Sequence, residues 1–136
     1  LHLCSGDRAR HRLAAAIGLL SPGMPMIYYG DEVGMTGDRD PDCRRGMLWD
    51  RSRWDEATWA HYRRLLKLRK EYPALTRGRI LRQDTRELDE QRITTVFHAA
   101  EGTVALPELA GKTDLITGQV FDGTLTGFRA LVFETA

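Results

Sequence analysis

The sequence predicts a mixed architecture: an α/β segment over residues 1–74 followed by an all-β, antiparallel sandwich over residues 75–136. Three observations predict it. An apolar run, Met26-Ile27-Tyr28-Tyr29, follows Pro22 and Pro25 and ends in Gly30-Asp31-Glu32. The prolines exclude a helix there, so the run reads as a buried strand. Apolar residues recur at helical spacing on both sides of that run. After Pro73 the pattern changes to short β-like runs separated by turn residues, the mark of an antiparallel β-sandwich.

Residues 7–20 read as the first helix, with Ser5-Gly6-Asp7 offering the N-cap. Ala9, Leu13, Ala16, Ile17 and Leu20 recur at helical spacing, while Arg8, Arg10 and Arg12 read as a solvated face. Ser21-Pro22-Gly23 stops it, and the apolar strand follows. A strand buried on both faces belongs to a parallel sheet covered by helices. Such sheets present functional groups at the carboxyl ends of their strands. Tyr28 and Tyr29 are expected to alternate, one facing the sheet core and the other the helix layer. Residues 33–54 read as one long ordered loop anchored by Met35, Met47, Leu48, Trp49 and Trp54; a loop of that length in a compact domain is commonly functional. Residues 55–71 read as the second helix, with Asp55 and Glu56 at its start, Lys67, Arg69 and Lys70 at its end, and Pro73 as its stop. The β-like runs are 79–81, 93–98, 103–106, 114–116, 119–121 and 129–133, punctuated at Asp84, Asp89-Glu90, Glu101-Gly102, Ala110-Gly111, Thr117-Gly118, Asp122-Gly123 and Thr126-Gly127.

Composition narrows the class. With 136 residues, 42% hydrophobic and 29% charged, the chain reads as soluble and globular. A formal net charge of +1 gives no pointer to nucleic acid, and no apolar run is long enough to span a bilayer. Cys4 and Cys43 are too few for a disulfide scaffold, and Cys43 reads as a small loop-packing residue. His2, His11, His61 and His98 are scattered, so neither a metal site nor a cofactor is expected. One strong strand and two helices cannot close a sheet, so residues 1–72 read as the tail end of a larger α/β domain, and a chain starting on Leu1 reads as a piece of something longer.

Two linked motifs carry a resemblance. Pro22 to Met35, followed by Asp40-Pro41-Asp42-Cys43-Arg44-Arg45-Gly46-Met47-Leu48-Trp49-Asp50, resembles the α-amylase superfamily of glycoside hydrolases. Within it the second motif is similar to the neopullulanase, cyclomaltodextrinase and maltogenic amylase branch. The resemblance covers nearly the whole chain and implies the C-terminal end of a (β/α)8 barrel, its last strand and flanking helices, followed by a short β-sandwich. It implies a parent enzyme that hydrolyses or transfers α-glucosidic bonds with retention, using three carboxylates from earlier strands. All three are expected upstream of Leu1, so no catalytic residue is assigned here.

The resemblance implies that Asp40 and Arg44 bind a glucose unit. An Asp–Arg pair suits this, offering acceptors and donors while neutralising itself. Asp31 and Glu32 are not a catalytic pair, because neighbours on a strand end point apart. Glu32 reads as structural, its carboxylate accepting loop N–H groups or pairing with Arg44 or Arg45. Two readings stand open for Trp49: stacking on a sugar, or packing under the loop. The expected partners are an α-glucan oligosaccharide and the missing N-terminal part of the barrel, with no nucleic acid and no membrane. A homo-oligomeric parent in the cytoplasm is expected. The sequence departs from the branch at Gly46, where Pro is common, at Arg39, where a small polar residue is usual, and in the short segment between Phe97 and Thr103. A non-catalytic carbohydrate-binding or structural module is the alternative.

Overall fold

The computed structural model describes residues 4–21, 23–77, 79–82, 85–88, 91–98 and 101–135, with backbone alone for 79–82 and 85–88. The expectations for Leu1, His2, Pro22, Gly78, Asp84, Asp89-Glu90, Ala99 and Ala100 lie outside the described residues.

Helix α1 spans Arg8–Leu20 and α2 spans Glu56–Glu71. Each starts where an aspartate supplies the missing acceptor. Asp7 takes the N–H groups of Ala9 at 2.8 Å and Arg10 at 3.2 Å, and Asp55 takes that of Thr58 at 3.0 Å. Pro73 does end α2, but a short turn of helix, α3 (Ala74–Arg77), restarts beyond it, with the Arg77 N–H reaching the Pro73 carbonyl at 2.8 Å. A proline tolerates this position because the first helical N–H groups have no intrahelical partner.

Among the described residues six strands follow: β1 (Arg79–Arg82), β2 (Thr85–Leu88), β3 (Gln91–His98), β4 (Thr103–Ala105), β5 (Thr124–Thr126) and β6 (Arg129–Thr135). They form an antiparallel sheet of order β1-β2-β3-β6 and a separate β4–β5 pair. The β3–β6 register runs from Arg92 opposite Thr135 to His98 opposite Arg129. Alternation along these strands sends Ile93 and Val132 to one face and Val96, Leu131 and Phe133 to the other. The first face packs on Ala16, Leu19 and Leu20 of α1 and Leu65 and Leu68 of α2. The second packs on Leu109, Phe121 and Leu125, under the β4–β5 layer. Burying each of these leucines contributes roughly 1.5–3 kcal/mol.

Two predicted strands are absent. Residues 114–116 and 119–121 form a turn with one bridge, Thr113 to Val120. The cause is the buried Asp114 carboxylate. It accepts the N–H groups of Ile116 (3.2 Å) and Thr117 (3.0 Å), the Thr117 hydroxyl (2.6 Å), and the N–H of Val132 in β6 (3.0 Å). A side chain that satisfies local N–H groups competes with the ladder. β2 and β5 were not predicted from sequence, one being charged and the other only three residues between glycines.

The buried strand at 26–29 is also absent. Among the described residues no strand pairs with it, and Met24 and Met26 are 96% and 83% exposed. An extended segment without a neighbouring strand has neither a ladder nor two covered faces. Tyr28 and Tyr29 do not alternate either: their rings lie together, 4.9 Å between centroids. The arginines expected on a solvated face are in part engaged. Arg8 pairs with Asp55 at 3.1 Å, and Arg10 lies 4.4 Å over Phe128 and pairs with Asp7 and Glu101, each at 3.4 Å.

Two predictions follow from this packing. Asp114→Ala leaves the Val132 N–H buried without an acceptor and is expected to cost about 2–3 kcal/mol in urea denaturation; a loss under about 0.5 kcal/mol would remove Asp114 from this role. His11 and His61 are both held below the ordinary histidine value of 6.5, chiefly by burial. Arg8 and Arg12 further disfavour the charged His11, against Asp31. The unfolded chain therefore takes up these protons at higher pH than the folded one. Stability is full above 6.5 and falls as pH drops through it. Melting temperature should decline between about pH 7.5 and about pH 5.5, and His11→Leu should flatten that decline; equal slopes in both proteins would exclude His11 as a source.

Candidate functional site: the loop from Gly30 to Trp54

The loop is launched by an arginine on α2. Arg69 donates to the carbonyls of Leu19 (2.7 Å), Ser21 (3.1 Å) and Gly23. The first two are end-of-helix acceptors of α1, and a guanidinium placed there satisfies several carbonyls at once. The chain then runs through 24–29 to Gly30, where Asp31–Val33 form one tight turn between two left-handed glycines. Gly34, at φ 76°, sits under Arg8 and Asp55; a Cβ there would lie 2.9 Å from that of Asp55. Arg8 donates to the Gly34 carbonyl at 3.1 Å, and the Asp55 N–H to the Val33 carbonyl at 3.0 Å. Burial pushes the Asp55 carboxyl up, but the Thr58 N–H and Arg8 outweigh it and hold it below the usual range. The start of the loop is thus tied to the N-termini of both helices.

Glu32 turns back and accepts the Gly30 N–H at 2.9 Å, within its own turn. Beyond Met35 the chain folds on itself through a second turn, Asp42–Arg44, preceded by a cis Asp40–Pro41 bond. Asp42 organises it, accepting the Asp38 N–H at 2.7 Å and the Arg45 Nε–H at 2.6 Å. Both tyrosines reach this turn: the Tyr28 hydroxyl donates to the Cys43 carbonyl at 3.3 Å and the Tyr29 hydroxyl to the Arg45 carbonyl at 2.7 Å. Partial burial and the neighbouring Tyr29 phenol push the Tyr28 hydroxyl above the ordinary tyrosine range.

Asp40 and Arg44 come together as an ion pair at 3.0 Å, 60% and 72% exposed. In such surroundings the pair adds little to stability, and its unused lone pairs and N–H groups face solvent. A cleft of about 580 Å³ lies alongside, lined by Tyr28, Tyr29, Asp38, Arg39, Asp42 and Arg45 among others; neither Asp40 nor Arg44 lines it. Trp49 is 80% exposed, so it does not pack under the loop. Trp54 anchors there instead, its indole N–H donating to the Leu48 carbonyl at 2.8 Å and its ring 5.1 Å from that of Trp59. Cys4 and Cys43 are free thiols. Among the described residues no cluster of three His, Cys, Asp or Glu could hold a metal ion, and no helix is long and apolar enough to cross a membrane.

Sequence reasoning missed Arg69, the Arg8–Asp55 tie and the Asp42–Arg45 pair. The last had a visible signal, opposite charges three residues apart; the first two join residues distant in sequence.

No family model matches the chain. Curated relatives do. It is 36% identical over 136 residues to neopullulanase 2 of Thermoactinomyces vulgaris, which covers 88% of this chain and 23% of that protein. It is 45% identical over 78 residues to a cyclomaltodextrinase of Geobacillus thermopakistaniensis, covering 57% of this chain and 13% of that one. The chain is a homologue of the neopullulanases, cyclomaltodextrinases and maltogenic amylases. The crystal structure of a maltogenic amylase from S. marinus superposes with a TM-score of 0.80 at 26% identity, covering 94% of this chain and 19% of that one. The resemblance read from the two motifs is therefore borne out at the level of the α-amylase family. The chain spans less than a quarter of the length of these curated relatives.

The exposure of Trp49 carries a prediction. Trp49→Ala should leave stability within about 0.5 kcal/mol, read by thermal melting; a larger loss would mean that the ring packs on the protein after all.

Proposed function

We propose that this chain is the C-terminal portion of a retaining glycosidase acting on α-glucosidic bonds in maltooligosaccharides, cyclodextrins, pullulan or starch. On this reading residues 1–74 end a (β/α)8 barrel, and residues 75–136 are a C-terminal β-domain. The chain supplies a substrate-binding loop, and the catalytic carboxylates lie upstream of Leu1 in the parent. Residues 26–29 then belong to the last barrel strand, pairing with other strands of the parent's barrel.

The observation that carries the reading is the Asp40–Arg44 pair. Its 3.0 Å geometry and open polar edges offer a sugar both acceptors and donors in a fixed arrangement. The relatives' names add support, since the sequence similarity includes the loop. Trp49, exposed on the same loop, offers a ring of the size that stacks on a pyranose face. Glu32 acts as a scaffold, engaged with the Gly30 N–H.

The test uses the full-length protein. It should turn over β-cyclodextrin, pullulan or starch, and Arg44→Ala should raise KM for β-cyclodextrin by about tenfold with kcat kept within about twofold. Absence of turnover on every α-glucan would sink the glycosidase reading. Calorimetric binding of maltotriose by a parent without turnover would point to the carbohydrate-binding module instead.

A further inference from the structure

We propose that Tyr28 and Tyr29 are positioning residues for the Asp40–Arg44 pair, setting its geometry through the loop backbone. This rests on the reading of that pair as a sugar-binding element. The two hydroxyls donate to the carbonyls of Cys43 and Arg45, the residues on either side of Arg44. The backbone of Arg44 is therefore fixed at both flanks, while its own N–H is taken by the Pro41 carbonyl at 2.9 Å. The Arg45 side chain is held aside by Asp42 at 2.6 Å. Of the two adjacent guanidiniums, one is committed inside the turn, and the other is presented outward on Asp40.

The two rings suit this work because they brace each other. Their centroids are 4.9 Å apart with planes tilted by 39°, so neither phenol swings independently. Both bonds are open to solvent, where water can replace a lost donor. Removing a hydroxyl therefore costs little folding stability. What it removes is pre-organisation: the loop must then be ordered by the sugar itself, and that cost appears in binding. The tyrosines touch no substrate in this scheme and act only through Arg44.

The experiment is steady-state kinetics of the full-length enzyme on β-cyclodextrin, with melting temperatures measured in parallel. Tyr29→Phe keeps the ring and should raise KM by about 3- to 10-fold, with kcat and melting temperature nearly unchanged. Tyr28→Phe, losing the longer bond, should have the smaller effect. In an Arg44→Ala background Tyr29→Phe should add almost nothing, because the two act as one unit. If Arg44→Ala raises KM and Tyr29→Phe does not, the positioning role is overturned and the sugar-binding reading stands. If Arg44→Ala changes neither KM nor kcat, that reading fails and takes the positioning role with it. A Tyr29→Phe enzyme with a lowered melting temperature and an additive effect on Arg44→Ala would also overturn the proposal, leaving a general structural role.

Discussion

The β3–β6 ladder has both faces covered, one by α1 and α2 and the other by the β4–β5 layer. The rest of the described structure depends on this double burial. A helix pair of this size is marginal alone, since amphipathic helices draw most of their stability from the surface they pack on. Here the stripe of α1 and α2 is completed by Ile93 and Val132. Polar ties fix the arrangement where packing alone would let it slide. Asp114 joins a surface turn to Val132 of β6, and Arg64 of α2 donates to the Leu115 carbonyl in the same turn at 2.6 Å. The helix layer and the sheet thus share one core, although sequence composition changes sharply between them.

The loop from Gly30 to Trp54 is built differently. Few of its side chains are buried, Val33 being the fully buried one, and its shape comes from hydrogen bonds to carbonyls. Arginines and tyrosines from neighbouring elements act as struts. Segments of this kind, low in apolar contact, are where binding residues are commonly found. Beside it, Met24, Met26, Ile27, Tyr28 and Tyr29 present a contiguous exposed apolar segment. An exposed apolar surface of this kind marks a place where another surface can pack. The α-glucanase reading gives it the neighbouring barrel strands.

Much of the fold was legible in the sequence because its signals are local. Asp7 and Asp55 announced two helix starts, and apolar spacing gave both helices to within a residue or two. β3 and β6 were visible as β-branched and aromatic runs. The errors have identifiable causes. At 114–116 a β-like run lost to a side chain that captured its own backbone. At 26–29 apolar character foretold burial, but burial needs neighbours, and none of the described strands pairs there. β5 was hidden because three residues between Gly123 and Gly127 look like a turn until Thr103–Ala105 pairs with them.

For the site, the sequence by itself determined the residue types and the resemblance to the α-amylase superfamily: two motifs, with an Asp and an Arg four residues apart. Spacing within one turn is a short-range property, so the Asp40–Arg44 pairing needed little beyond chain geometry. Only the tertiary structure decided what holds that turn. Tyr28, Tyr29, Arg8, Asp55 and Arg69 lie up to 50 residues from the groups they bind. No local pattern encodes such partnerships. They arise when α1, α2 and the sheet bury a common core and so bring distant donors within reach of carbonyls and a carboxylate elsewhere in the chain.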